Sequence, residues 1–124
     1  MPDSIGRLRR RADFLRVAAG RRRFAAPGLV MQVHPAPESE DQNGLRVGFT
    51  VTRKVGAATI RNRAKRRLRE VARQVLPEHG AKGQDFVVIG RKGTLNRSFD
   101  ALVGDMETAL RKLRVWRNAE THTK

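Results

Sequence analysis

The chain has 124 residues, the length of one domain, and its 27 Lys and Arg against 12 Asp and Glu give a formal net charge of +15. Cysteine is absent, which excludes disulfides and thiolate metal sites, and no apolar run approaches the roughly 20 residues of a membrane-spanning helix. The basic N-terminus lacks the apolar segment of a secretory signal, so we expect a cytoplasmic protein. So large a charge favours a polyanionic partner, most often nucleic acid, over an anionic membrane.

The first half of the chain predicts a helix followed by strands. Residues 1–10 are basic and are expected to form a flexible arm. Apolar residues at helical spacing predict a helix over 11–19. Alternating apolar and polar residues predict strands over 29–34 and 45–51, and the Pro-containing loop 35–44 between them suggests an antiparallel pair.

The second half predicts two further helices around one strand. A basic helix is expected over 59–76, ended by Pro77 and Gly80. The short apolar run at 85–90 predicts a central strand. A last helix, about 98–113, is capped by Ser98 or Asn96. The predicted boundaries are 11–116 for a single RNA-binding domain and 117–124 for a flexible tail.

The segment "TIRNRAKRRLREVARQVL" combines one apolar stripe with strong positive charge. It carries seven Arg or Lys and one acid, Glu70. On a helical wheel the apolar stripe consists of Ile60, Ala64, Leu68, Val71 and Val75. Like charges four residues apart cost about 0.2–0.5 kcal/mol per pair in an isolated helix, and a bound polyanion would remove that repulsion. Arg53 and Lys54 extend the positive charge into the preceding loop.

The acids and histidines do not form an evident active site. Metal-dependent phosphodiester cleavage needs converging carboxylates, whereas Glu38, Glu40 and Asp41 share a flexible loop. The histidines are dispersed, at His34, His79 and His122. We therefore expect no catalytic residue and no metal ligand in the protein. Three functions are compatible with this basic sequence. One is that of a structural, ribosomal-type RNA-binding protein without a role in RNA cleavage, and another is that of a stand-alone nuclease. The third is that of a major-groove DNA reader, but no helix precedes the basic helix at the turn distance of a helix-turn-helix.

The motif "RNRAKRRLR", Arg61 to Arg69, resembles the signature of the protein component of bacterial ribonuclease P. The blocks "RADFLRVAAG", "LRVGFTVTRKVGAATIRNRAKRRLREV", "DFVVIGRKG" and "LVGDMETALRKL" resemble the same family in the same order. The resemblance spans about residues 7–114. It implies an α+β fold, a single small α/β sandwich in the order α-β-β-β-α-β-α. A left-handed crossover would surround the basic helix, as in a domain of a small-subunit ribosomal protein, and a fourth, short strand would lie near 23–25.

The resemblance also implies a function in removing the 5′ leader of precursor tRNA, with the chemistry carried by a catalytic RNA. The residues expected to bind that RNA are Arg53, Lys54, Arg61, Asn62, Arg63, Lys65, Arg66, Arg67, Arg69 and Arg73. The single-stranded leader would lie in a cleft containing Phe14, Val30, Gln32, Arg46 and Thr50. The family often has aromatic residues where this chain has Ala18 and Gln32, so fewer bases would stack. Mg²⁺ would be bound mainly by the RNA, and no further protein partner or membrane is implied.

Overall fold

The structure, a computed structural model, describes residues 5–40 and 42–118. The described elements are β1 (Ile5–Arg7), α1 (Arg11–Ala19), β2 (Arg23–Ala25), β3 (Leu29–Pro35), β4 (Leu45–Val51), α2 (Ala58–His79), β5 (Gln84–Gly90) and α3 (Phe99–Lys112). Two short 3₁₀ turns, Arg53–Val55 and Lys92–Leu95, precede α2 and α3. Apart from β1, this is the predicted order of elements, including the short strand near residue 23.

One mixed sheet, in the order β1-β4-β5-β3-β2, forms the centre of the molecule. Strand β5 is central, as predicted, and it pairs in parallel with β4 and antiparallel with β3. The predicted direct pairing of β3 with β4 is therefore wrong, because β5 lies between them. The reason is burial: Phe86, Val87 and Val88 are covered on both faces of the sheet, which only a central position allows.

The helices cover the two faces of the sheet unequally. Helices α2 and α3 pack together on one face, over the main core of Met31, Val47, Leu68, Phe86 and Met106 and their neighbours. Helix α1 packs on the other face over a smaller cluster of Leu8, Val17 and Val87. Helix α2 connects the parallel neighbours β4 and β5, so the predicted βαβ unit is present.

The basic helix α2 docks through its apolar stripe but extends beyond its predicted end. Ala64, Leu68, Val71 and Val75 are fully or almost fully buried. Ile60, predicted to share the stripe, is 37% exposed, because it lies in the first turn, next to Gly56. The helix continues through Pro77 to His79.

Contacts at the C-terminus of α2 explain why Pro77 does not end the helix. The Arg117 side chain donates hydrogen bonds to the carbonyl oxygens of Pro77 and Gly80, at 2.6 and 3.0 Å. It thereby supplies partners for carbonyl groups that a helix end leaves unpaired. The His79 ring also stacks on Trp116, with 3.9 Å between ring centroids.

Two segments predicted to be flexible include ordered residues. Ile5–Arg7 forms strand β1, which pairs in parallel with β4 and extends the sheet, so the flexible arm does not include these residues. Arg117, assigned to the tail, is bound to the end of α2. Residues 1–4, 41 and 119–124 lie outside the described part of the chain. Within the described ranges, no helix has the length and apolar content that crossing a membrane requires.

Candidate RNA interface

The residues predicted to bind RNA form one cationic surface on α2 and the turn before it, here called the basic face. Most are exposed: Arg53, Lys54, Asn62, Arg63, Arg66, Arg69 and Arg73. The others are half-buried: Arg61, Lys65 and Arg67. The structure therefore brings all ten predicted residues to the same side of the molecule as α2.

Few groups on the protein neutralise the basic face. Among the described residues, Arg73 is the one member with an acidic partner within 4 Å, the Glu70 carboxylate at 2.6 Å. Arg67 donates to the Thr94 carbonyl at 2.9 Å, which fixes the second 3₁₀ turn to α2. The Arg69 guanidinium lies 5.9 Å from the centre of the Phe49 ring. The other cations of the basic face have no acidic partner within 4 Å among the described residues, so the surface is suited to a polyanion.

A second group of cations lies beside the basic face, where the two 3₁₀ turns meet. Lys54 from the first turn and Arg91 and Lys92 from the second surround an open cavity of about 450 Å³. Arg91 donates to the Ala26 carbonyl at 2.7 Å, which holds this turn in place. The fold thus adds Lys54 to the two cations of the short "GRKG" segment, residues 90–93.

The opposite face of the sheet carries a groove beside α1, here called the α1 groove. Its volume is about 470 Å³, and it is lined by Arg9, Arg11, Phe14, Leu15, Ala18, Gln32, Phe49, Thr50, Val87 and Ile89. Three of the five residues predicted to contact the leader, Phe14, Gln32 and Thr50, meet there. Val30 and Arg46 do not line it. Val30 is only 6% exposed and belongs to the packed sheet surface.

The Phe14 ring can approach the sheet closely because residue 48 is glycine. A Cβ atom at Gly48 would stand 2.5 Å from Cζ of Phe14 and 3.0 Å from Cβ of Leu8. No side chain fits in that space while the ring stays where it is. Gly48 therefore determines the depth at which the aromatic ring lies in the α1 groove.

Arg46 forms a buried ion-pair cluster instead of lining the α1 groove. Its Nε and Nη2 atoms donate to the two carboxylate oxygens of Asp85, at 2.9 and 2.7 Å, and Arg16 of α1 donates to the same carboxylate. Burial alone raises the pKa of Asp85, but the hydrogen bonds from Arg46 and Arg16 outweigh it and hold that pKa below its usual value. The hydrogen bonds to Asp85 likewise raise the pKa of Arg46. This cluster joins α1, β4 and β5.

The described acids and histidines do not converge on a metal site. No group of three or more His, Asp or Glu among them is arranged to hold a metal ion. Glu40 lies 3.6 Å from Arg46, and Asp41 lies outside the described residues. His34 contacts Arg16, at 3.2 Å, and His79 stacks on Trp116.

Sequence reasoning missed two features of the interface. Leu15, on α1, is 54% exposed and forms an apolar wall of the α1 groove. Its large exposed side chain in an otherwise amphipathic helix was a usable signal. Asp85 was missed because it was counted only as the start of an apolar strand. An acid at a position that is buried in a central strand predicts a cationic partner.

Comparisons with known proteins agree with this arrangement. A family model described as Ribonuclease P matches residues 3–114. The chain is 54% identical over 114 residues to the ribonuclease P protein component of Paramagnetospirillum magneticum, covering 91% of this chain and 86% of the relative. It is 51% identical over 120 residues to that of Gluconacetobacter diazotrophicus, covering 97% and 100%.

Solved structures show the same fold. The RNase P protein from Thermotoga maritima has a TM-score of 0.66 at 29% identity, covering 87% of this chain and 94% of that one. The Staphylococcus aureus RNase P protein, at 24% identity, has a TM-score of 0.72 with 90% and 97% covered, which bears on the fold alone. The chain therefore belongs to the family of ribonuclease P protein components, which are subunits of a tRNA-processing ribonucleoprotein.

Proposed function

We propose that this protein docks its basic face on the catalytic RNA of ribonuclease P and holds the 5′ leader of precursor tRNA in the α1 groove. The RNA carries out the cleavage, in the cytoplasm. The observation that carries the proposal is the presence of two different surfaces on opposite faces of one sheet. One is a helix with charges of a single sign, and the other is a groove with an aromatic side chain.

The basic face is suited to the closely spaced phosphates of a folded RNA. Each phosphate that an Arg or Lys neutralises releases condensed counterions, so affinity depends steeply on salt. The arginine guanidinium can also hold one phosphate through two hydrogen bonds. Because Arg63, Arg66 and Arg69 lack an acidic partner among the described residues, docking breaks no ion pair at these positions.

The α1 groove is suited to a single strand. Phe14 offers a ring on which one base can stack, worth about 1–3 kcal/mol. The exposed side chains of Arg9 and Arg11 lie at the same groove and can contact the leader phosphates. Ala18 and Gln32 add no further ring, so the aromatic side chains that line this groove are Phe14 and the half-buried Phe49.

We assign Mg²⁺ to the RNA, because phosphate oxygens are ligands that this ion commonly uses. The contribution of the protein is electrostatic. Its positive charge offsets the repulsion between the phosphates of the catalytic RNA and those of precursor tRNA. Less Mg²⁺ is then needed to bring the two RNAs together.

A charge-reversal experiment tests the docking surface. Arg66→Glu, at an exposed position of α2, should weaken binding of the catalytic RNA. The slope of log affinity against log salt concentration should also become shallower by about one. Lys82→Glu makes the same charge change at an exposed position outside the basic face and serves as the matched control. Equal losses for the two variants would show that only net charge matters, and would overturn the assignment of the basic face.

A further inference from the structure

A groove on the α2 side of the sheet, at its β1 edge, adjoins the basic face, with which it shares Arg69 and Arg73, and it has Phe49 in common with the α1 groove. We call it the edge groove. Its volume is about 390 Å³, and it is lined by Ile5, Arg7, Val47, Phe49, Arg69, Ala72, Arg73, Leu76 and Pro77. It exists because β1 extends the sheet beyond the width that α2 covers.

The edge groove combines an apolar floor with a cationic rim. The floor consists of buried or half-buried apolar groups, among them the half-buried ring of Phe49. The rim carries the exposed side chains of Arg7, Arg69 and Arg73, and none of the lining residues is acidic. An aromatic surface beside several arginines matches the two parts of a nucleotide, a flat base and a phosphate.

The contact between Arg69 and Phe49 indicates how a base would fit. The Arg69 guanidinium, which is flat, lies 5.9 Å from the centre of the ring. Base–aromatic stacking is stronger than an exposed cation–π contact, so an entering base can take this position. The displaced guanidinium then becomes available to the phosphate of the same nucleotide.

We propose that the edge groove binds one unpaired nucleotide, with its base on Phe49 and its phosphate between Arg7 and Arg69. The proposal rests on the RNA-binding function proposed above and adds a specific pocket to it. The nucleotide comes either from the catalytic RNA or from precursor tRNA, since both have the same chemistry. The charge of the rim favours RNA over a second copy of this cationic chain.

Site-directed crosslinking tests the location. Because the chain has no cysteine, Arg7→Cys provides a single attachment point for a photoreactive reagent. Lys82→Cys is the control, since Lys82 is an exposed cation outside the basic face that lines neither the edge groove nor the α1 groove. Each labelled protein is irradiated with catalytic RNA alone and with precursor tRNA alone.

The expected result is a crosslink from position 7, and not from position 82, to one unpaired nucleotide. The RNA that carries it identifies the source. Equal crosslinking from both positions, or crosslinking only to helical stems, would overturn the proposal.

A filling substitution tests the affinity without touching the α1 groove. Ala72→Met places a longer side chain in the edge groove from α2, and binding of the RNA identified by crosslinking should weaken about tenfold, a typical loss for one stacked base. Unchanged affinity, with the melting temperature preserved, would contradict the proposal. So would a dimer of the protein alone that Ala72→Met dissociates, because that result assigns the groove to a second copy.

The Arg66→Glu variant separates failure of this inference from failure of the proposed function. If Arg66→Glu weakens RNA binding and Ala72→Met does not, the edge groove alone is wrongly assigned. If neither variant weakens binding, the docking surface itself is wrongly assigned.

Discussion

Replacing the buried carboxylate of Asp85 tests how α1 is held against strands β4 and β5. Asp85 is fully buried and accepts hydrogen bonds from Arg46 of β4 and Arg16 of α1. Asp85→Asn keeps the shape of the side chain and removes its charge. Among the described acids, the two guanidinium groups then keep only the longer contacts with Asp13, at 3.4 and 3.7 Å, and the contact of Arg46 with Glu40 at 3.6 Å.

The expected loss is about 2–3 kcal/mol in the free energy of unfolding. Breaking a fully buried ion pair by removing one partner costs about 3–5 kcal/mol. The Arg46 and Arg16 side chains keep 16% and 28% of their exposure, so water replaces part of the lost interaction. Compared with a total stability of about 5–15 kcal/mol for a domain, the effect is large.

Urea unfolding followed by fluorescence of the single tryptophan, Trp116, measures this loss. Glu70→Gln is the control, because it breaks the exposed pair with Arg73 and should cost no more than about 1 kcal/mol. A loss below about 1 kcal/mol for Asp85→Asn at pH 7 would refute the reasoning.

The pH dependence has a defined sign. The pKa of Asp85 is lowered in the folded protein, so its stabilisation is complete above the unfolded value of about 3.9 and disappears as pH falls through the folded value. The difference in stability between wild type and Asp85→Asn should stay constant from about pH 7 to pH 5 and shrink below about pH 4. A difference that grows on acidification would contradict the assignment.

Three further predictions concern RNA binding. Phe14→Ala should spare assembly with the catalytic RNA and weaken holoenzyme binding of precursor tRNA by about 1–3 kcal/mol, while binding of mature tRNA stays unchanged. Gly48→Ala should reproduce this selective loss, because its Cβ atom would occupy a position 2.5 Å from Phe14 Cζ. Affinity for the catalytic RNA should fall by about 10³ between 50 and 200 mM salt if roughly six phosphates are neutralised.

Each of these three predictions would be contradicted by a specific result. Equal loss of precursor and mature tRNA binding in Phe14→Ala would argue against a leader groove. A Gly48→Ala variant that binds precursor tRNA normally would show that the ring can move without consequence. A nearly flat salt dependence, measured by filter binding, would be incompatible with docking through the basic face.

The helices could be predicted from the spacing of apolar residues, because helix formation depends on residues that are near neighbours in the chain. The spacing of Leu102, Met106 and Leu110 predicted α3 and its buried face, and Ser98 caps it as expected, accepting from the Ala101 N–H at 3.1 Å. The position of β5 was also predictable, since an apolar run of that length needs burial on both faces. The resemblance to a known family added the order of elements.

Strand pairing could not be predicted from the sequence, because it depends on contacts between residues far apart in the chain. Nothing in the loop 35–44 indicates that β5 inserts between β3 and β4. Strand β1 was missed because Ile5–Arg7 is too short for a periodic signal, and its partner β4 lies about 40 residues further along the chain. Pro77 was taken as a helix end because its stabilising contact comes from Arg117.

The candidate site was predictable where one element carries it and less so where several elements meet. All the residues of the basic face lie on α2 or the turn before it, so the sequence alone places them together. The α1 groove needs α1 and three strands in register. Arg46 alternates with apolar neighbours as an exposed strand residue would, and only the fold shows that Asp85 binds it.

The most direct test of the central claim is the rate of leader removal from precursor tRNA in a reconstitution in which the protein and the catalytic RNA are each omitted in turn. We predict cleavage at low Mg²⁺ only when both are present, cleavage by the RNA alone at high Mg²⁺, and no cleavage by the protein alone at any Mg²⁺ concentration. Cleavage by the protein alone, or RNA activity that is equally independent of the protein at low and high Mg²⁺, would contradict the account.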